Sequence, residues 1–95
     1  MGIEVTRVTI GLTPDGGRLK ALVTVTLSDA LVIRDIKVIE SGGKHFVSMP
    51  SRKMHDGSYQ AIVYPLTREI RIMLETVILA EFEKISGERV VRRER

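Results

Sequence analysis

The feature that most constrains the fold is a single change of hydrophobic period at Pro65. Upstream, Leu19, Ala21, Val23, Val25 and Leu27 alternate with Lys20, Leu22, Thr24 and Thr26. A period of two puts successive side chains on opposite faces of a strand, and Val and Thr favour that conformation. Downstream, Ile70, Met73, Leu74, Val77, Ile78, Phe82 and Ile85 recur at helical spacing, which defines one apolar stripe. The chain therefore reads as strands first and one helix last. That order predicts an α+β fold: a small antiparallel sheet of about five strands followed by a long C-terminal helix.

The punctuation agrees with this order. Residues 3–12 are strand-like, but Ile3 and Val5 share one parity while Val8, Ile10 and Leu12 share the other. A β-bulge near Thr6-Arg7 reconciles them. Thr13-Pro14-Asp15-Gly16-Gly17 has hairpin chemistry, and Ser28-Asp29-Ala30 turns into a third strand over 31–40. Ser41-Gly42-Gly43 leads to a short run from His45 to Met49, and Tyr59 to Tyr64 reads as the fifth strand. All connections are short, which favours an antiparallel meander. Thr67 is placed to N-cap a helix over Arg68 to Ile85, and Gly87 to stop it.

Ninety-five residues make one domain, expected over 1–87, with a basic tail over 88–95. The chain has no cysteine, so disulfides, thiolate metal sites and cysteine nucleophiles are excluded. A small core without cross-links gains burial by pairing with a second copy, and a homodimer is expected. Ile72 and Leu79 fall outside the helix stripe and are the candidate dimer contacts. No secretory leader is read at the start, and no apolar run reaches the ~18 residues of a membrane span. A cytoplasmic protein without a membrane role is the expectation.

The net charge is +3, and the segment from Glu88 to Arg95, with four arginines against two glutamates, carries +2 of it. The body is thus nearly neutral, and its basicity sits in small clusters. One is Arg52-Lys53, between Pro50 and the turn former Asp56-Gly57. On residues alone such a doublet is ordinary loop charge. Arg68 and Arg71 open the helix, where surface charge with an Arg71–Glu75 pair is the plain reading. Arg92 and Arg93 lie in a tail that can extend the helix, add a strand or remain a solvated end.

Five stretches in order give the clusters a context. They are Leu19-Lys20-Ala21 with Thr26-Leu27; Asp35-Ile36-Lys37-Val38-Ile39-Glu40; Phe46-Val47-Ser48-Met49-Pro50-Ser51-Arg52-Lys53; Asp56-Gly57; and Tyr64-Pro65-Leu66. The chain resembles the SpoVG family over residues 3–85, with the Met-Pro-Ser-basic-basic motif as its most specific point. It departs where the family usually has an acidic residue (Arg7), Thr-Pro (Met54-His55) and His (Tyr64). The resemblance implies a dimeric bacterial cytosolic protein that binds DNA or RNA and regulates gene expression, with links to septation, cell division and sporulation. It makes Ser51, Arg52 and Lys53 the candidate phosphate contacts, flanked by Arg68 and Arg71; apart from the resemblance, Arg92 and Arg93 are candidates as a mobile arm on nucleic acid. The rival reading is a protein-interaction module acting at cell division.

Catalysis has little basis. His45 and His55 are the only histidines, and no nucleophile, zinc or phosphate-loop motif is present. No metal, cofactor or small-molecule substrate is expected. The aromatics are Phe46, Tyr59, Tyr64 and Phe82. Phe82 belongs to the core pattern. Tyr59 and Tyr64 have opposite parity, which argues against a stacking platform and for backbone-dominated contacts.

Overall fold

The computed structural model describes residues 2–14 and 16–93. Four strands, β1 (Val5–Leu12), β2 (Leu19–Leu27), β3 (Leu31–Ser41) and β4 (Lys44–Ser48), form one antiparallel sheet in chain order. A separate hairpin, β5 (Ser51–Lys53) with β6 (Tyr59–Ala61), follows, and helix α1 (Arg68–Ser86) comes last. The α+β architecture is the one expected.

The expected bulge is present: Val5 faces Leu27 while Arg7 faces Thr26. This shift brings Val5, Val8 and Ile10 together against the core. A second irregularity sits in β3, where Val23 faces Ile36 and Val25 faces Ile33. The extra residue is accommodated by Asp35 at φ 63°, a left-handed conformation that Asp tolerates better than most residues. Between β2 and β3, Ser28 and Asp29 both have positive φ, and the Ala30 N–H donates to the Leu27 carbonyl at 2.9 Å. Such a turn matches the twist of the strands it joins. Asp15 of the preceding turn lies outside the described residues.

One sheet face carries the core. Ala21, Val23 and Val25 of β2 and Ile33, Ile36 and Val38 of β3 meet Leu74, Ile78, Leu79 and Phe82 of the helix. The helix begins where Thr67, in extended conformation, accepts the Ile70 N–H at 3.2 Å, and it ends at Gly87 with φ 77°. Both caps fall where the residue types predict.

Two expectations are corrected, and one left open, the course of the tail, is decided in favour of strand-like pairing. Leu79 is only 3% exposed and belongs to the core, whereas Ile85 is 50% exposed and leaves the expected stripe. The buried arc of the helix runs through Leu74, Glu75, Ile78, Leu79 and Phe82, and the C-terminal segment lies beside its Leu79 side, with Val90 packed against the core. Leu79 is therefore spent within its own protomer and is not a free dimer contact. Second, the segment is neither a helical extension nor a loose arm as far as Arg93. The His45 N–H donates to the Val91 carbonyl at 2.6 Å and the Arg93 N–H to the His45 carbonyl at 3.0 Å, which makes a parallel bridge on the edge of β4. Third, the fifth strand is three residues, not six, and does not join the main sheet. Pro50 has no N–H to continue the ladder. Its carbonyl accepts the Ile62 N–H at 2.8 Å and closes the separate hairpin.

Candidate functional site

Arg52 and Lys53 lie on β5, not in a loop as expected. Arg52 faces Gln60 and Lys53 faces Tyr59 across the hairpin. The tip is Met54–Gly57, and its geometry is set by Asp56. The Asp56 carboxylate accepts the Ser58 hydroxyl at 2.6 Å and the Ser58 N–H at 2.9 Å. Those two bonds hold the Asp56 carboxyl below its ordinary 3.8, the hydroxyl having the larger effect. Gly57 turns the chain at φ 89°, where a side chain is strained. All three residues of β5 are exposed. Arg52, Lys53 and His55 border one shallow concavity, so the structure adds a histidine beside the basic pair that sequence reasoning set aside.

The other four candidate cations converge. Arg68 and Arg71 from the start of the helix, and Arg92 and Arg93 from the tail, line one hollow of about 460 Å³ together with Ile72 and Glu75. The tail arginines are fixed by contacts of their own. Arg92 lies 3.6 Å from the Glu75 carboxylate and donates to the Thr76 hydroxyl at 3.2 Å. The Arg93 guanidinium sits 3.9 Å from the centre of the Phe46 ring, a cation–π contact. Among the described residues Arg68 and Arg71 form no ion pair, and Glu75 pairs with Arg92 rather than Arg71. Ser51 lines a neighbouring groove, about 280 Å³, that shares Arg71 and Glu75 with the arginine hollow. Ser51 thus lines a groove that borders the hollow of Arg68, Arg71, Arg92 and Arg93, with Arg52 and Lys53 immediately after Ser51 in the chain.

A second cluster lies where the tail crosses β4. The carboxylates of Glu40 and Glu88 and a ring nitrogen of His45 fall within 4.8 Å of one another. His45 is buried with its ring 5.9 Å from that of Phe82. Its Nδ1 accepts the Val91 N–H at 3.2 Å, so the neutral ring carries its proton on Nε2. That atom is buried without a hydrogen-bond partner among the described residues. A metal at Nε2 needs the opposite tautomer, and Glu40 already pairs with Lys20 at 3.2 Å. The donor set fits a tail anchor better than a metal site.

A family model of SpoVG matches residues 3–84. The match contains the junction from β4 into the β5–β6 hairpin with its basic pair. The chain belongs to the SpoVG family. Relatives named "Putative septation protein SpoVG" include one from Alkaliphilus oremlandii, 42% identical over 88% of this chain and 90% of the relative. Another, from Clostridium acetobutylicum, is 38% identical over 97% of each chain. A third, from Acetivibrio thermocellus, is 42% identical over 87% of this chain and 88% of the relative. The family model ends before the docked tail, so Arg92 and Arg93 lie outside it. Among the described residues no helix is long and apolar enough to cross a membrane.

Proposed function

We propose that the protein binds nucleic acid, DNA or RNA, chiefly through its phosphates, and acts as a cytoplasmic regulator of gene expression connected with septation and, in spore formers, sporulation. The observation that carries this is the convergence of Arg68, Arg71, Arg92 and Arg93 on one hollow in a chain whose net charge is only +3. Four guanidinium groups gathered by two distant segments are a local field, not a general coat of charge. A phosphate neutralised there releases counterions, which drives binding. The exposed Arg52 and Lys53 follow Ser51 in the chain and add two further cations. Among the described residues no constellation supports catalysis, and the protein is read as a binding module. A homodimer remains part of the reading, with the exposed edge of β1 and the 42% exposed Ile72 as the surfaces that can pair.

The test is fluorescence anisotropy with labelled duplex DNA and single-stranded RNA over a salt series. Each arginine-to-alanine change at a phosphate contact lowers the log–log salt slope by about 0.9 on duplex or about 0.7 on single strands. Arg68→Ala with Arg71→Ala weakens binding to all sequences alike, because phosphate contacts position a protein without reading bases. Wild-type protein that shows no salt-dependent binding to any oligonucleotide overturns the reading. The protein-interaction alternative has its own support: Leu66 is 89% exposed and Ile62 is 60% exposed, beside the hairpin. Loss of a partner protein on Leu66→Asp, with no nucleic-acid shift in wild type, is the outcome that favours it.

A further inference from the structure

The groove beside the arginine hollow differs from it in chemistry. Its walls are Met49 and Ser51 at the entry to the hairpin, Ala61 of β6, Tyr64 after it, and Leu74 of the helix, with Arg71 and Glu75 at the side shared with the hollow. Leu74 and Glu75 are buried, whereas Tyr64 is 60% exposed. A phosphate entering this groove meets the apolar walls of Met49, Ala61 and Leu74, which oppose it. A flat, uncharged heterocycle does not meet that penalty.

We propose that the groove takes one unstacked nucleobase from a single strand whose phosphates lie on the arginine hollow. The proposal rests on the nucleic-acid reading above and names its ligand class. Three features support it. The groove holds about 280 Å³, near the lower end of small-ligand sites, which suits one ring system rather than a run of stacked bases. It shares Arg71 with the hollow, so a backbone held by the arginines has its adjacent base within reach. Tyr64 presents an aromatic ring at the same place, and single-stranded recognition uses such rings as stacking partners for splayed bases. Tyr59 does not line the groove, so this is a one-base site and not the two-tyrosine platform that the strand parity had already argued against. A base paired within a duplex stays in its stack unless flipped out at a cost. The groove therefore favours single strands over duplex.

The test compares a labelled single-stranded oligonucleotide, the same strand carrying abasic sites, and the matching duplex, by anisotropy at fixed salt. The variants are Tyr64→Ala, which removes the ring, and Ala61→Leu, which fills the groove without removing a contact. Both positions are exposed, and a melting curve for each checks that folding is intact. Base insertion predicts that each variant loses about 5- to 100-fold in single-strand affinity. It also predicts that duplex affinity and the salt slope stay unchanged, and that wild type binds the abasic strand as weakly as the variants bind the intact one. Variants that bind the intact strand like wild type, with salt-dependent binding preserved, overturn the base site and leave the phosphate reading standing. Wild-type protein that binds none of the three oligonucleotides removes both.

Discussion

Leu79→Ala separates two accounts of the same helix. Were Leu79 a dimer contact, its loss would weaken association and leave the folded protomer alone. In the structure it is 3% exposed and sits in the core cluster with Ile78 and Phe82. Truncating a buried leucine costs about 2–5 kcal/mol, depending on how well the surroundings close the cavity. Here one wall is the tail segment around Val90 and the half-exposed Arg92, which faces solvent on its outer side, so the site is not fully enclosed and the lower part of the range applies, about 2–3 kcal/mol. At roughly 4–8 °C per kcal/mol for a domain of this size, Tm falls by about 10–20 °C. Ile72→Ala, at a position 42% exposed, stays within a few degrees, as surface substitutions do. Thermal melts by circular dichroism at two widely separated protein concentrations provide the assay. The core account requires the loss in Leu79→Ala to be the same at both. A Tm within a few degrees of wild type, or a deficit that appears only on dilution, would refute the packing argument.

Thr67→Ala removes the side chain that accepts the Ile70 N–H and is expected to cost about 0.5–2 kcal/mol in denaturant unfolding, with Thr67→Asp restoring most of it; an unchanged midpoint in Thr67→Ala denies the cap its role. The hairpin tip has a pH dependence with a defined sign. Asp56 is held below its ordinary 3.8 by Ser58, so its contribution is fully present above that value and disappears as pH falls through the lower, folded-state value. Amide NMR shifts of Gly57 and Ser58 are expected to move in that acid window while core amides do not, and Asp56→Asn is expected to abolish the movement; shifts insensitive to acid in wild type contradict the turn geometry.

What the sequence made legible is what local chemistry dictates. The alternation in residues 19–27, the bulge at Val5/Arg7, the cap at Thr67 and the stop at Gly87 each depend on residues within a few positions of one another. The errors share a different cause. Leu79 lies off the stripe expected of an isolated helix, and in the fold it joins the core cluster against which Val90 of the tail also packs. Arg52-Lys53 reads as loop because a three-residue strand has too few positions to show a period. The pairing of Glu75 with Arg92 also depends on the tail. A signal for docking was present: Val90-Val91 is an apolar pair within an otherwise charged end, and His45 interrupts an apolar strand. Neither position specified its partner.

The tail therefore joins stability to the proposed site. Its backbone bridges β4 at His45, Val90 closes the core over Leu79, and Arg92 and Arg93 supply half of the arginine hollow. Deleting residues beyond Gly87 removes all three at once, so weaker nucleic-acid binding in such a truncation cannot distinguish lost phosphate contacts from a loosened helix. Charge alone is isolated by Arg92→Gln and Arg93→Gln, which leave Val90, Val91 and the His45 backbone bonds in place. Arg92→Gln also gives up the contact to buried Glu75, and a buried carboxylate with less compensation destabilises in its own right. Arg93→Gln gives up only an exposed cation–π contact on Phe46, worth about 0.5–1 kcal/mol. Of the two, Arg93 is the position at which a reduced salt slope reports the ligand and not the fold.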